Sequence, residues 1–533
     1  MDPVKSSSGS AWSPFAHTSF AVLWVATVIS NIGTWMHDVG AGWLMTELSS
    51  SPLTVAAVQA ATTFPVFLFA LIAGAVADIV DRRKLLIIVN LVQATTAAAL
   101  ASLVSLDLVT PLVLIVFTFA LGTGAAFVAP AWQAIVPSLV PRSELSSAIA
   151  LNSMGINISR AIGPAIAGFL IVSVGLWSPF ALNAVSFVGI IAALLWWRPA
   201  AAEPRRLPAE EVSTAVINGL RFARYSPAVR ATLLRSLVFF LFASAFWAML
   251  PLIARVLLSG GPTLYGLLLA CVGVGAVGGA FMLPVLRKQF GPSRVVAFGT
   301  LGIALSLAAI ALLPVAPVAI AAALFAGLSW ILVLSTLNHS AQTALPDWAR
   351  ARGLSIFLTV FFGSMFLGSL AWGQVASIYG IPSALLTAAG GALVMIPLTA
   401  RFQLQQLAGH NLAPSMHWPA PVVSEQEADL DRPVMVEVAY SVMAEKKPEF
   451  LKLMDQLANA RRRNGGYGWR LLQDAADPRR MFEIWHETSW TQHLRHHERV
   501  SEDDHELQDR IKDTLEGEPE IKHLVAPFTQ TRT

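Results

Sequence analysis

The chain has 533 residues, 55% of them hydrophobic and 13% charged, with a net charge of +3 at pH 7. That balance hides two regions, with 20 Lys/Arg against 11 Asp/Glu up to Phe402 and 16 against 22 beyond it. The basic excess lies in loops between apolar segments, which argues against nucleic-acid binding, and the single cysteine, Cys271, excludes an intrachain disulfide or a multi-thiolate metal site.

Residues 1–16 are polar and Ser-rich, and the apolar stretch after them is too long for a signal-peptide core. It reads as the first of twelve segments of about 20 residues or more, each able to cross ~30 Å of hydrocarbon as a helix. Six occupy 17–46, 52–77, 84–106, 111–133, 145–173 and 176–197. A polar stretch with Pro199, Pro204 and Pro208 then leads into an amphipathic helix over Ala209–Tyr225. Six more segments occupy 231–257, 263–286, 293–313, 315–338, 350–378 and 382–402.

Alternate loops carry the Lys and Arg, from Arg82-Arg83-Lys84 through Arg142, Arg287-Lys288 and Arg350 to Arg401, whereas the opposite loops carry almost none. The positive-inside rule therefore predicts a multi-pass membrane protein with both termini cytoplasmic, which requires an even number of spans. The expected organisation is a cytoplasmic tail 1–16, a six-helix bundle 17–197, a cytoplasmic linker 198–230 and a second six-helix bundle 231–402. A linker 403–431 and a soluble domain 432–533 follow. Two bundles joined by a long linker suggest halves that rock against each other.

The loop after the second segment reads Gly74-Ala-Val-Ala-Asp78-Ile-Val-Asp81-Arg82-Arg83-Lys84. Gly74 suits close helix contact, Asp78 suits capping or pairing with Arg, and the basic cluster suits the cytoplasmic surface. This pattern resembles the signature loop of the major facilitator superfamily, although Ile79 replaces a usual basic residue and Asp81 a usual Gly. The resemblance implies that Asp78 and Arg82 latch the two halves together in the outward-open state. Gly155, Gly163, Pro164 and Gly168 in the fifth segment resemble the Gly-Pro motif of that superfamily's antiporters, with Ala167 where Gly is frequent. Ser30-Asn31-Ile-Gly33-Thr-Trp35-Met36 and Pro130-Ala-Trp132-Gln133 are similar to the enterobactin-exporter and macrolide-efflux-like branch, also described as transmembrane secretion effectors. What the resemblance implies is a proton-coupled exporter of small amphipathic organic molecules (a siderophore, macrolide or other drug) in a bacterial inner (cytoplasmic) membrane, not an enzyme.

Ionisable side chains inside spans are functional candidates by default. Asp38 either carries the coupling proton or is an interfacial carboxylate in water, and Arg160 either pairs with it or attracts an anionic substrate. His37 is placed to tune Asp38, while Arg235 and Arg255 near helix ends are expected to snorkel. Asn31, Trp35, Gln59, Trp132, Trp247 and Asn338, with Trp330 and His339 nearby, could line a cavity for aromatic molecules. An interfacial belt is the competing reading for any single Trp.

Beyond Phe402, Pro414, Pro419 and Pro421 mark a linker, and Pro433–Val442 alternates as a strand. A helix near 446–463, strands at Tyr467–Leu472 and Arg480–Glu487, helical segments near 488–516 and a strand at 519–526 complete a βαββαβ order. That order predicts a ferredoxin-like α+β domain behind an all-α membrane domain. It resembles antibiotic-biosynthesis monooxygenases, which implies a homodimer through this domain. The resemblance also leaves open an alternative: a membrane-tethered cofactor-free oxygenase or a regulatory protein. His493 and His497 share a helical face, but no cysteine is near and no third ligand is evident in the sequence. The expectation there is a solvated face, with no metal and no cofactor.

Overall fold

The computed structural model describes residues 12–198, 212–404, 413–415, 417–418 and 432–525. Helices α1 (Thr18–Leu48), α2 (Pro52–Ile79), α3 (Arg82–Ser105), α4 (Pro111–Ile135), α5 (Leu145–Ser173) and α6 (Ser178–Trp196) form the first half. After α7 (Val212–Tyr225), the second half comprises α8 (Pro227–Leu252), α9 (Pro262–Leu312), α10 (Ala316–Thr343), α11 (Asp347–Tyr379) and α12 (Ile381–Ala400). Proline opens α2, α4, α8 and α9, where its fixed φ is pre-set for a helix and its missing N–H would have had no partner.

Eleven of these helices are long and apolar enough to cross a membrane. Their outer surface is itself apolar, with Phe169, Val172, Phe281 and Leu312 among the most exposed residues. A surface of that kind is stable only against lipid. Helix α9 has 51 residues, about 77 Å at the α-helical rise. Gly291 in its middle has φ 77° and ψ 164°, a backbone that favours glycine, and Pro292 follows. The two sequence segments expected on either side of residue 290 thus run into one another through a sharp break.

The chain divides into two compact units. The first comprises Met1–Pro208, Leu233–His339 and Phe357–Leu404, and contains most of both helical halves. Within it α1 packs on α5 and α6, α2 on α4, and α5 on α9, so α5 joins the halves.

The second unit comprises Ala209–Thr232, Ser340–Ile356 and Gln405–Thr533. Its strands β1 (Val434–Ser441), β2 (Tyr467–Gln473), β3 (Arg480–Glu487) and β4 (Glu520–Val525) form an antiparallel sheet in the order β2-β3-β1-β4. Helix α13 (Lys447–Asn464) connects β1 to β2, and α14 (Trp490–Arg499) and α15 (Glu502–Lys512) lie between β3 and β4. Val434, Val436, Val438 and Tyr440 alternate inward on β1 and bury against Phe450, Leu453, Met454 and Leu457 of α13 and Trp485 of β3.

The helix expected within the linker is present, but it is not a free tether. It packs on α13, with Arg221 Nη1 donating to Gly465 O at 3.2 Å and the Arg462 guanidinium 5.7 Å from the Tyr225 ring centroid.

Candidate functional site

Helices of both halves enclose a cavity of about 480 Å³, within the usual range for small-molecule sites. Trp35, Asp38, Gln59, Thr62, Thr63 and Arg160 line it from the first half. The second half contributes Trp247, Tyr265, Trp330, Asn338, Phe357, Phe361 and Met365. Its wall is largely aromatic: Trp330 lies 5.2 Å from Trp247 and 5.4 Å from Phe240, centroid to centroid. Into this wall project one carboxylate, one guanidinium, two amides and three hydroxyls.

Asp38 is half-buried, and no ion pair joins it to Arg160. The Arg160 guanidinium instead lies 5.4 Å from the Trp35 ring centroid, with Nε buried and without a hydrogen-bond partner. A half-buried cation packed on a π face retains donors for an anionic or carbonyl group.

Three expected cavity residues do not line it. His37 is buried and meets Phe180 of α6 edge-on at 4.8 Å, because neighbours on a helix point about 100° apart. Trp132 Nε1 donates to Asn152 Oδ1 at 3.1 Å within the first half. Asn31 is absent from the cavity wall. The expected snorkelling of Arg235 is also corrected. This side chain is buried and donates to Phe402 O, Ser293 O and Thr399 O at 2.7–3.1 Å. Arg255, half-buried, donates to Thr46 Oγ1 at 3.0 Å and stacks over Trp43 at 5.6 Å.

In the signature loop, Asp81 caps α3 by accepting from Lys84 N at 3.0 Å. Arg82 donates to Ala77 O and Ala134 O, and Arg83 to Leu194 O and Leu195 O. These acceptors lie in the last turns of α2, α4 and α6, where free carbonyls and the negative dipole end favour a cation. The Asp78 side chain lies outside the described residues. Gly74 does not serve close packing, since a Cβ there would meet nothing within 4 Å.

The glycines of α5 are in tight contact. A Cβ on Gly155 or Gly163 would strike α1 at Val28 or Trp35, and one on Gly168 would come within 2.9 Å of Pro262 O and 3.2 Å of Thr263 Cα. Gly168 therefore sits where α5 meets α9 of the other half. At the same end, Leu53 N donates to Ser377 Oγ at 3.0 Å and Trp43 stacks on Tyr265 at 6.3 Å. The two halves are sealed together where these loops poor in Lys and Arg lie.

The C-terminal domain holds a second cavity, also of about 480 Å³, between the sheet and α13–α15. At its wall the fully buried Glu483 accepts from Arg461 Nε at 3.0 Å, Tyr440 Oη at 2.6 Å and Trp469 Nε1 at 2.9 Å. Below it, His496 Nδ1 and Glu487 Oε1 lie 2.6 Å apart. Burial pushes the Glu487 carboxyl up to about 8 and the His496 imidazole down to about 3, so the pair is held neutral. The expected solvated face of α14 is corrected as well. His493 is 1% exposed, and His523 of β4 stands beside it and His497 as a third imidazole.

A profile described as transmembrane secretion effector matches residues 9–531. The chain is 26% identical over 379 residues to the multidrug efflux pump Tap of Mycolicibacterium fortuitum, covering 68% of this chain and 90% of that one. It is 25% identical over 400 residues to the enterobactin exporter EntS of Salmonella typhimurium, covering 73% and 93%. The crystal structure of a mutant nucleoside transporter NupG superposes with a TM-score of 0.60 at 12% identity, covering 72% of this chain and 99% of that one.

Proposed function

Since the chain belongs to the transmembrane secretion effector family of major facilitator transporters, we propose that it exports small amphipathic organic molecules, siderophores or drugs among them, in exchange for protons. The observation that carries this reading is the cavity between the halves, where one carboxylate and one unpaired guanidinium are set in an aromatic wall. Aromatic faces suit amphipathic cargo, and Arg160 suits an anionic or carbonyl group on it. Asp38 is the proton-coupling group in this scheme, its charge biasing the alternation between two access states.

We count twelve spans, with α9 broken at Gly291 into two, and assign both termini to the cytoplasm of a bacterial inner membrane from the basic loops. The domain borders are those expected from the sequence, and residues 432–533 are read as a ferredoxin-like domain that dimerises through exposed apolar residues of its edge strands, Leu472, Ile521 and Leu524. On this orientation the seal at Gly168, Leu53 and Arg255 is periplasmic, and the cavity is reached from the cytoplasm. The transition to the other state breaks those contacts and brings the signature loop, with Asp78 and Arg82, against the second half.

The test is proteoliposome flux of a siderophore and drug panel under an imposed pH gradient. Asp38→Asn is expected to abolish gradient-driven export while leaving binding of the transported compound within a few-fold. Unchanged pH coupling in that variant would remove Asp38 from the mechanism, and absence of flux for every compound in wild-type protein would count against the exporter reading.

A further inference from the structure

His493 and His497 stand one helical turn apart on α14, so both rings leave the same face. His523 is placed opposite Val436 by the β1–β4 register, which turns it towards the same face of the sheet as the buried core. The three residues offer ligand atoms that all lie within 4.8 Å of one another. The Nε2 atoms of His493 and His497 are 3.1 Å apart, and the His493 ring centroid is 4.8 Å from that of His523. Tetrahedral coordination at ~2.0 Å per bond sets ligand nitrogens roughly 3.3 Å apart, so small ring rotations bring all three onto one ion.

We propose that His493, His497 and His523 bind a divalent first-row transition-metal ion of the class that prefers imidazole, such as Zn(II), Co(II) or Ni(II). Three neutral imidazoles leave a fourth position open, and all three line the C-terminal cavity, so a water or a ligand donor atom has room to complete the shell. The nearby Arg461 is already neutralised by Glu483, which limits its repulsion of a cation.

The site is independent of the transport reading, and its test does not use transport. Full-length protein carrying a tag without histidine is purified in detergent, stripped with chelator and equilibrated with Zn(II) or Co(II). About one ion per chain is expected by elemental analysis, with the intense visible absorption of tetrahedral Co(II) and a Zn(II)-dependent rise in unfolding temperature. His497→Gln and His523→Gln are each expected to weaken binding by about 100-fold or more, since even outer-shell changes cost 10–100-fold. His505→Gln on α15, outside the cluster, is expected to leave binding unchanged. Failure of wild-type protein to bind stoichiometrically or to gain thermal stability with Zn(II) would overturn the proposal, as would binding that survives both substitutions.

Discussion

The seam between the halves offers a direct test of alternation, because at Gly168 one methyl group is the perturbation. In the sealed conformation the Cβ of Gly168→Ala would lie 2.9 Å from Pro262 O, 3.2 Å from Thr263 Cα and 3.3 Å from Gly266 Cα. All three are backbone atoms that cannot swing aside. Overpacking of this kind costs about 1–3 kcal/mol. The intrinsic helix gain of alanine over glycine, about 1 kcal/mol, is present in both conformations and cancels between them. The cost thus falls on the sealed state alone, and the equilibrium is expected to move about 5–150-fold towards the state in which α5 and α9 separate. Spin labels on cysteines introduced at Leu108 and Tyr379, exposed positions at the same end of the two halves, report the opening by pulsed electron resonance. Cys271→Ser removes the one native thiol. The longer-distance population is expected to grow in Gly168→Ala and to stay at the wild-type level in Gly278→Ala, where a Cβ meets nothing within 4 Å. An unchanged distance distribution in Gly168→Ala would refute the assignment of this contact as the seal.

Two predictions concern the C-terminal domain. Arg461→Ala strands Glu483 as a fully buried, uncompensated carboxylate. It is expected to destabilise the domain by about 3–5 kcal/mol, and the double substitution Arg461→Met with Glu483→Gln to recover much of that loss. Hydrogen-exchange protection of β1 and β3 measures both, and a loss below about 1 kcal/mol in the single variant would show that the pair is not needed. The domain's stability is also expected to peak near pH 6.5. Glu487, raised from 4.5 to about 8, binds its proton more tightly when folded, so stability falls by about 1.4 kcal/mol per unit as pH rises above 4.5, up to pH 8. His493, His496 and His497 are lowered from 6.5 to about 2, 3 and 4, and His417 and His523 are lowered too, so each subtracts stability as pH falls below 6.5. The histidines together outweigh the one carboxyl below pH 6.5, and the carboxyl acts alone from there to pH 8. Denaturant titrations from pH 5 to 8 that rise or fall monotonically would contradict this balance.

Much of the membrane domain was legible because a bilayer imposes a length and a polarity on every span. Trp35, Asp38, Gln59, Arg160, Trp247 and Asn338 were recognisable as polar or aromatic interruptions of apolar helices, and all six line one cavity. Sequence alone did not reveal which side of a uniformly apolar helix faces its partner. Phe357, Phe361 and Met365 lie at i, i+4 and i+8 on α11 and line the cavity, but so would any other stripe of that helix by composition. Tyr265 carries no sequence signal for the same reason, and His37, next to Asp38 in sequence, leaves the helix in another direction and meets Phe180. Arg235 resembles a snorkelling side chain until the carbonyls of three separate segments converge on it. The third imidazole, His523, is 26 positions beyond His497, and only the pairing of β4 with β1 brings it near.

The linker helix shows most clearly what composition conceals. An amphipathic stretch beside prolines reads as part of a linker, yet α7 belongs to the second unit and packs on α13. That unit also contains the first turns of α8 and the junction of α10 with α11. Trp348, at the start of α11, is held edge-on against Phe222 of α7 at 5.6 Å and lies 4.4 Å beneath the guanidinium of Arg499, the last residue of α14. Arg499 in turn donates to Asn464 O at the end of α13. Within this unit the first residues of α11 are therefore fastened to α7 and α14, contacts that only the folded second unit brings together.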